Sequence, residues 1–367
     1  MSERKVTVIV TVYNIEQYLE RFFDCLRQQT FTDYEALIID DGSADNSAKI
    51  CRAHAEKDDR IRVISVEHVG ISAARNLAIE NLRTEFATSL DGDDYFDKDY
   101  LKHLMEAQER YGADLTLSNV VYVYEDGREK DRFSPRKEAF YTKKDFSGLL
   151  PRLIEEGRLN FLYAKLYKSS LLKKARLEPD VRQGSDTMIN AMVLRYTESI
   201  AVIEDYDYYY VQYQSRSVTS YQGADYFKRL YRINTFLMNE LDAGGYLDDE
   251  MLRVTDGRIL MSASASLYRI AASDAPLPEK YRRAEEIIDS EEYLIPYRRQ
   301  EEYGNLGSFT FTPVAPGKGK EQIDQICGLI KEEKKNKRLK KLRDMCPDAL
   351  FNVWHSAKVK LGIARKK

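Results

Sequence analysis

A chain of 367 residues, 43% hydrophobic and 32% charged, has the length for two domains and a sizeable core, which excludes a disordered or fibrous protein. Its four cysteines (Cys25, Cys51, Cys327, Cys346) show neither metal-ligand spacing nor a dense disulfide pattern, no signal peptide is evident, and no apolar run nears the roughly 20 residues that span a bilayer; the expectation is a reducing, cytoplasmic setting. The net charge of −3 hides a division: from Lys331 onward thirteen Lys/Arg meet four Asp/Glu, which leaves −12 for the residues before it.

Residues 5–12 (KVTVIVTV) are a continuous β-branched run, the pattern of a strand buried on both faces. Tyr13 and Asn14 end it, and Tyr18, Leu19, Phe22, Phe23 and Leu26 predict a helix over 16–29. A second strand at 34–39 stops at Asp40-Asp41-Gly42-Ser43, a helix follows over 45–57, and a third strand over 61–66. Gly70 and Ser72 open another helix through Leu82, and a fourth strand over 86–90 runs into Asp91-Gly92-Asp93-Asp94. That alternation predicts an α/β, Rossmann-like fold: a mostly parallel sheet with helices on both faces.

Further on, the pattern predicts a helix over 99–111, one strand over 113–124, a turn at 125–127 and a helix over 144–156. Residues 161–172 read as a strand entering a helix, 182–187 as a polar loop, 188–196 as a helix, and 199–213 as an aromatic strand pair. After Ser220 the chain turns helical over 226–241, 248–272 and 278–290, with a Gly/Pro-rich loop over 301–320. We therefore divide it into an α/β domain (1–220), a helical domain (221–320) and a basic helical tail (321–367). No internal repeat is present.

Ligands of open α/β sheets bind beyond the carboxyl ends of the strands. Three of the first four strand ends carry conspicuous polar residues: Thr11/Tyr13/Asn14, Asp40/Asp41 and Asp91/Asp93/Asp94. Their convergence is hard to explain as independent loop choices. Acids at the tip of a buried strand need a cation to face, and hard oxygen ligands at this density suit Mg²⁺ or Mn²⁺ held together with a phosphate. The plainer reading is an acidic loop with an aspartate capping the next helix.

KVTVIVTVYNIEQYL, LIIDDGSADNS, GISAARNLAI and SLDGDD, in that order and spacing, resemble bacterial family 2 glycosyltransferases over about the first 220 residues. The resemblance implies a GT-A fold, an inverting transfer, a nucleotide-sugar donor and a divalent metal (Mn²⁺ or Mg²⁺). It places Thr11, Val12 and Tyr13 on the nucleotide, Tyr13 packed against the base; Thr11 stands where the family commonly has Pro. It gives Asp41 the uracil imide, which favours a uridine donor, although Asp40-Asp41-Gly42-Ser43 also suits a turn in which Ser43 or Asp45 caps a helix. Arg75 falls near the base or diphosphate, or instead pairs with Asp41 or Asp91. His68 stands where the family often has Asn, and no role is assigned to it.

The same resemblance puts Asp91 on the ribose, Gly92 close to the sugar nucleotide, and Asp93 or Asp94 on the metal. Lys165-Leu166-Tyr167 followed by Gly184-Ser185-Asp186-Thr187 aligns Asp186 with the family's catalytic base, with Ser185 in place of the usual Glu; Asp186 also suits an N-cap. Lys165 and residues 214–219 are candidates for shaping the acceptor or diphosphate pocket. The implied partners are a UDP-sugar and a glycan, teichoic-acid or lipid-linked acceptor of cell-surface polysaccharide synthesis. Nothing in the pattern calls for nucleic acid.

Leu339, Leu342, Leu350, Phe351, Trp354, Val359 and Leu361 lie among many lysines in the tail. Such a segment lies on an anionic membrane surface, peripheral on the inner face, or it closes the helical bundle or a homodimer contact. Two rival functions stand beside the transferase. A sugar nucleotidyltransferase would begin with a Gly-rich, basic phosphate loop, which VTVYNIEQ lacks; a catalytically silent nucleotide-binding subunit would keep the crevice without the base.

Overall fold

The structure, a computed structural model, describes residues 4–132, 137–181, 183–213, 226–303 and 313–335, and the chain divides into two compact units, Met1–Gln212 and Tyr213–Lys367. In the first, β1 (Val6–Val12), β2 (Tyr34–Asp41), β3 (Ile61–Val66) and β4 (Phe86–Ser89) run parallel, joined by α1 (Glu16–Arg27), α2 (Ser47–Ala55) and α3 (Ile71–Glu80). β1 is the pivot. Its valines are fully buried, and it pairs with β2 on one side and β4 on the other, so the chain reverses direction across the sheet at β1. The crevice beyond the strands opens at that kind of reversal. α1 buries the expected stripe of Leu19, Phe22, Phe23 and Leu26 against this core.

After β5 (Tyr95–Phe96) and α4 (Tyr100–Tyr111), the single strand expected over 113–124 is broken in two: β6 (Leu115–Leu117) and β7 (Val120–Tyr124) lie in different sheets. The break is at Ser118-Asn119, both buried. Arg158, only 2% exposed, donates to the Ser118 carbonyl and to Asn119 Oδ1, while the Asn119 amide donates to the carbonyls of Ile203 and Glu204. Polar groups freed by the bend thus find partners, without which burial would be costly.

The remaining elements are β8 (Glu129–Arg132), β9 (Ala139–Thr142), α5 (Lys143–Ser147), α6 (Leu150–Glu155), β10 (Lys165–Lys168), α7 (Ser169–Leu172), α8 (Ser185–Leu194), β11 (Ser199–Val202) and β12 (Tyr208–Gln212). The large sheet has the order β3-β2-β1-β4-β10-β6-β11-β9, with β10 antiparallel to both neighbours; the small one has β5-β12-β7-β8. The sheet is therefore parallel in its first half and mixed beyond. β11 and β12 repeat the jump of β6 and β7 beside them, each pairing in parallel with its counterpart. The helix expected over 144–156 is interrupted at Gly148 into α5 and α6.

The second unit is helical: α9 (Tyr226–Ala243), α10 (Asp249–Ala272), α11 (Leu277–Ile288), α12 (Glu291–Tyr303) and α13 (Gly319–Lys335). α10 is its axis and packs against the other four. Its start is capped by Asp248, whose carboxylate accepts from the Met251 amide at 2.8 Å. Burial pushes Asp256 on α10 up to about 6, although Arg299 of α12 donates to it at 2.8 Å. Residues 304–312 of the Gly/Pro-rich stretch and residues 336–367, with every apolar tail residue named above, lie outside the described residues.

On α4, His103 Nδ1 lies 2.7 Å from Asp207 Oδ2 and 3.4 Å from Asp205 Oδ1. Burial works against the imidazolium, but the hydrogen bond to Asp207 and the charges of Asp205 and Asp99 outweigh it, raising the pKa of His103. The folded state thus favours the proton, so this contribution to stability is complete below the unfolded value of about 6.5 and fades as pH rises through the folded one. Ring NMR should place the His103 midpoint above about 6.5, and Asp207→Asn should lower it; a midpoint indifferent to that substitution would refute the pairing.

Candidate active site

The ends of β1 and β2 are bound to each other by side chains. Asn14, at φ 52, accepts through Oδ1 from the amides of Ala44 and Asp45, and its own amide donates to Ser43 Oγ. Asp45, one of the two expected caps, accepts from the Ser47 amide at the start of α2 and from the Glu16 amide at the start of α1. Thr11 is half-buried, Val12 is buried, and Tyr13 projects with its ring stacked on His68, centroids 4.2 Å apart. Asp41 is buried at the end of β2 and accepts from the amides of Val69 (2.7 Å) and Gly70 (3.0 Å).

β4 delivers the acidic stretch. Asp94, 1% exposed, accepts from the Tyr208 hydroxyl at 2.6 Å through one carboxylate oxygen and from the Val211 amide at 2.8 Å through the other. It thereby fastens the loop to β12. The Asp93 carbonyl accepts from Arg21 of α1. Gly92 packs closely: a Cβ there would lie 2.7 Å from Ile15 Cδ1, so a larger residue would push the tip of that side chain aside. Burial first, and then the charges of Asp93 and Asp186, push Asp91 up to about 7 against the pull of Arg75. Burial also raises Asp93, with Arg21 opposing, and raises Asp94 well above the carboxylate range with the charges of Asp93 and Asp91 adding to it. Mutually repelling carboxylates of this kind are the donor set that a hard divalent cation relieves, so the residues present fit such an ion.

Asp186 stands in the first turn of α8, after Gly184 with φ +76. It is ion-paired with Arg75 of α3, which also donates to Ser185 Oγ. The alternatives of Arg75 paired with Asp41 or Asp91 are therefore corrected: its partner is the carboxylate expected to act as base. Asp91 feels both Arg75 and Asp186, so α3, α8 and the end of β4 bring three charged groups into one locality. Asp41 is held at the end of β2 beside His68.

Residues 7–173 match the family described as Glycosyl transferase family 2. Over those residues, a little under half of the chain, it is similar to that family. It is 31% identical over 216 residues to the glycosyltransferase GlyA of Streptococcus pneumoniae, covering 57% of this chain and 31% of GlyA. It is 28% identical over 215 residues to the poly(ribitol-phosphate) beta-glucosyltransferase of Bacillus spizizenii, covering 56% of this chain and 32% of that enzyme. It thus spans about a third of the length of both relatives. Among solved structures, residues 1–349 of S. aureus TarS in complex with UDP-GlcNAc superpose with a TM-score of 0.63 at 20% identity, over 90% of this chain and 91% of that one. That likeness shows the fold, GT-A, with a helical region after it.

Several residues that shape the site had no local signal. Tyr208 hides in the aromatic run YDYYYVQ, yet its hydroxyl reaches Asp94 and its ring stacks on Tyr163 at 4.4 Å. Arg21 looks like any exposed helix residue. Lys165, a candidate from the sequence, is 1% exposed and donates to the carbonyls of Phe161 (2.7 Å) and Tyr163 (3.3 Å). Burial and the nearby Arg158 pull its pKa well below the usual lysine value, while Asp186 resists. Residues 214–219 lie outside the described residues. A separate trio, His103, Asp205 and Asp207, brings its donor atoms within 4.8 Å of one another and could also hold a cation.

Asp94 and Asp93 differ in what they carry. Asp94→Ala orphans a buried amide and a buried hydroxyl, and in EDTA it should cost about 1–3 kcal/mol by denaturant unfolding. Asp93→Ala spares the two contacts of Asp94 and the carbonyl that Arg21 uses, and should cost less. Equal losses from both would contradict the anchoring assigned to Asp94.

Proposed function

We propose that this protein is a family 2, inverting glycosyltransferase that moves a sugar from a UDP-sugar to a hydroxyl of a glycan, teichoic-acid or lipid-linked acceptor in cell-surface polysaccharide synthesis. The observation that carries the reading is the approach of Arg75 and Asp186 to Asp91, at the end of the strand that pairs with the pivot β1. The name of the ribitol-phosphate relative, and the UDP-GlcNAc held by TarS, support the acceptor and donor classes.

In this reading Tyr13 offers its ring to the uracil, Thr11 and Val12 border the nucleotide, and Asp41 accepts from the imide N–H. Asp91 accepts from the ribose hydroxyls, and Gly92 keeps the loop low enough for the donor to lie over it. Asp93 is the metal ligand, because Asp94 spends both oxygens on Tyr208 and Val211 and so orients the loop. A bound Mn²⁺ or Mg²⁺ would offset negative charge on the departing diphosphate.

Asp186 takes the proton of the acceptor hydroxyl as that oxygen bonds to the anomeric carbon, on the face opposite the diphosphate. The bond between that carbon and the phosphate oxygen breaks, and configuration inverts. Arg75 neutralises Asp186 until the diphosphate offers it a second anion; sharing Arg75 between the two frees the carboxylate to act as base. Among the described residues no helix is long and apolar enough to cross a membrane, and we assign the enzyme to the cytoplasm with the basic tail on the inner membrane surface. A homodimer through the tail remains part of the proposal.

A screen of UDP-, GDP- and dTDP-sugars with Mn²⁺ or Mg²⁺ should show turnover with UDP-sugars. Asp186→Asn should lower transfer about 10²- to 10⁴-fold with UDP affinity retained. Transfer by guanine or thymine nucleotides alone would overturn the donor; full activity of the variant would place the base elsewhere, and UDP binding without any transfer by the wild type would favour a silent nucleotide-binding subunit.

A further inference from the structure

The place that the uridine reading gives to the base already holds a ring of this protein. His68, in the loop between β3 and α3, lies on Tyr13 with centroids 4.2 Å apart and planes 20° from parallel. Its Nδ1 stands 3.0 Å from Asp41 Oδ2 and 3.1 Å from the Asp41 carbonyl. A uracil there would make the same two contacts, a face on Tyr13 and an N–H to the Asp41 carboxylate. Both cannot be present, because a third ring between two needs roughly twice the separation found.

We infer that His68 is an internal occupant of the nucleobase site, which the donor must displace and which thereby sets the affinity of that site; the inference rests on the uridine-donor reading. The backbone beneath the imidazole is held in place. Asp41 Oδ1 accepts from the amides of Val69 (2.7 Å) and Gly70 (3.2 Å), and Gly42, at φ +69, comes so near that a Cβ there would lie 2.6 Å from the His68 nitrogen. The His68 side chain, by contrast, is 54% exposed, so rotation about its own side-chain bonds carries it into solvent while the loop stays. Undocking breaks one stack and one hydrogen bond, and docking the base restores one of each. The donor therefore meets a site that is open only part of the time, and its apparent affinity falls by that fraction.

Calorimetry of UDP binding, with Mn²⁺ present, on the wild type, His68→Ala and His68→Phe tests this. His68→Ala should bind UDP roughly three- to thirtyfold more tightly, and His68→Phe, which keeps the stack but not the contact with Asp41, should gain less. With four histidines in the chain, ring NMR of the wild type should also show the His68 signals leaving the shielding of Tyr13 when UDP is added. Binding to His68→Ala that is unchanged or weaker overturns the inference while leaving the uridine donor standing. Absence of UDP binding by all three proteins overturns the donor reading and this inference with it.

Discussion

Keeping several carboxylates together, out of water, at the end of one strand is the constraint around which the first unit is built. Asp91, Asp93 and Asp94 each hold their protons more tightly than a solvated acid, because burial penalises their charge and, for Asp91 and Asp94, neighbouring acids add to the penalty. Such a cluster persists only if the surrounding structure over-determines it. Three elements do so. Tyr208 and Val211 of β12 grip Asp94, Arg21 of α1 grips the Asp93 carbonyl, and the Ile15 side chain packs closely on Gly92.

That grip depends on the second sheet. β12 reaches Asp94 because the chain leaves the large sheet after β11 and enters the small one, beside the parallel jump from β6 to β7. The bend is held by the buried guanidinium of Arg158, and Phe161, Tyr163 and Tyr208 stack face to face in the adjoining core. The buried Lys165 ammonium lies 3.9 Å over the Phe161 ring. Polar groups here hold bends, and aromatic rings supply the packing between them.

Electrostatics then satisfy the two ends of the site separately. At the end of β2, Asp41 accepts from two backbone amides and lies beside His68. At the start of α8, Asp186 is neutralised by Arg75, whose charge also lowers the proton affinity of Asp91. In each case a side chain of the protein occupies the acid: an imidazole beside Asp41, a guanidinium beside Asp186. The charges of the site are thereby paired, where bare buried ones would be destabilising.

Local information was enough for β1 to β4 and α1 to α3, because short connections and clean periodicities leave little else for those residues to do. It also marked the polar strand ends, since runs of Asp at the tips of apolar strands are visible without knowing the neighbours. The break at Ser118-Asn119 was missed: two turn-prone residues within an apolar run did not outweigh it, and the guanidinium that rewards bending lies 40 positions on. Tyr208 was illegible as an anchor for the same reason, its partner being 114 residues away. For Arg75 the sequence suggested Asp41 or Asp91 as a partner, and only the seating of α8 beside α3 gave it Asp186. By itself, then, the sequence determined which side chains carry charge and which strands bury them; the tertiary structure decided who neutralises whom, because a pairing across a hundred residues depends on packing that no local pattern encodes.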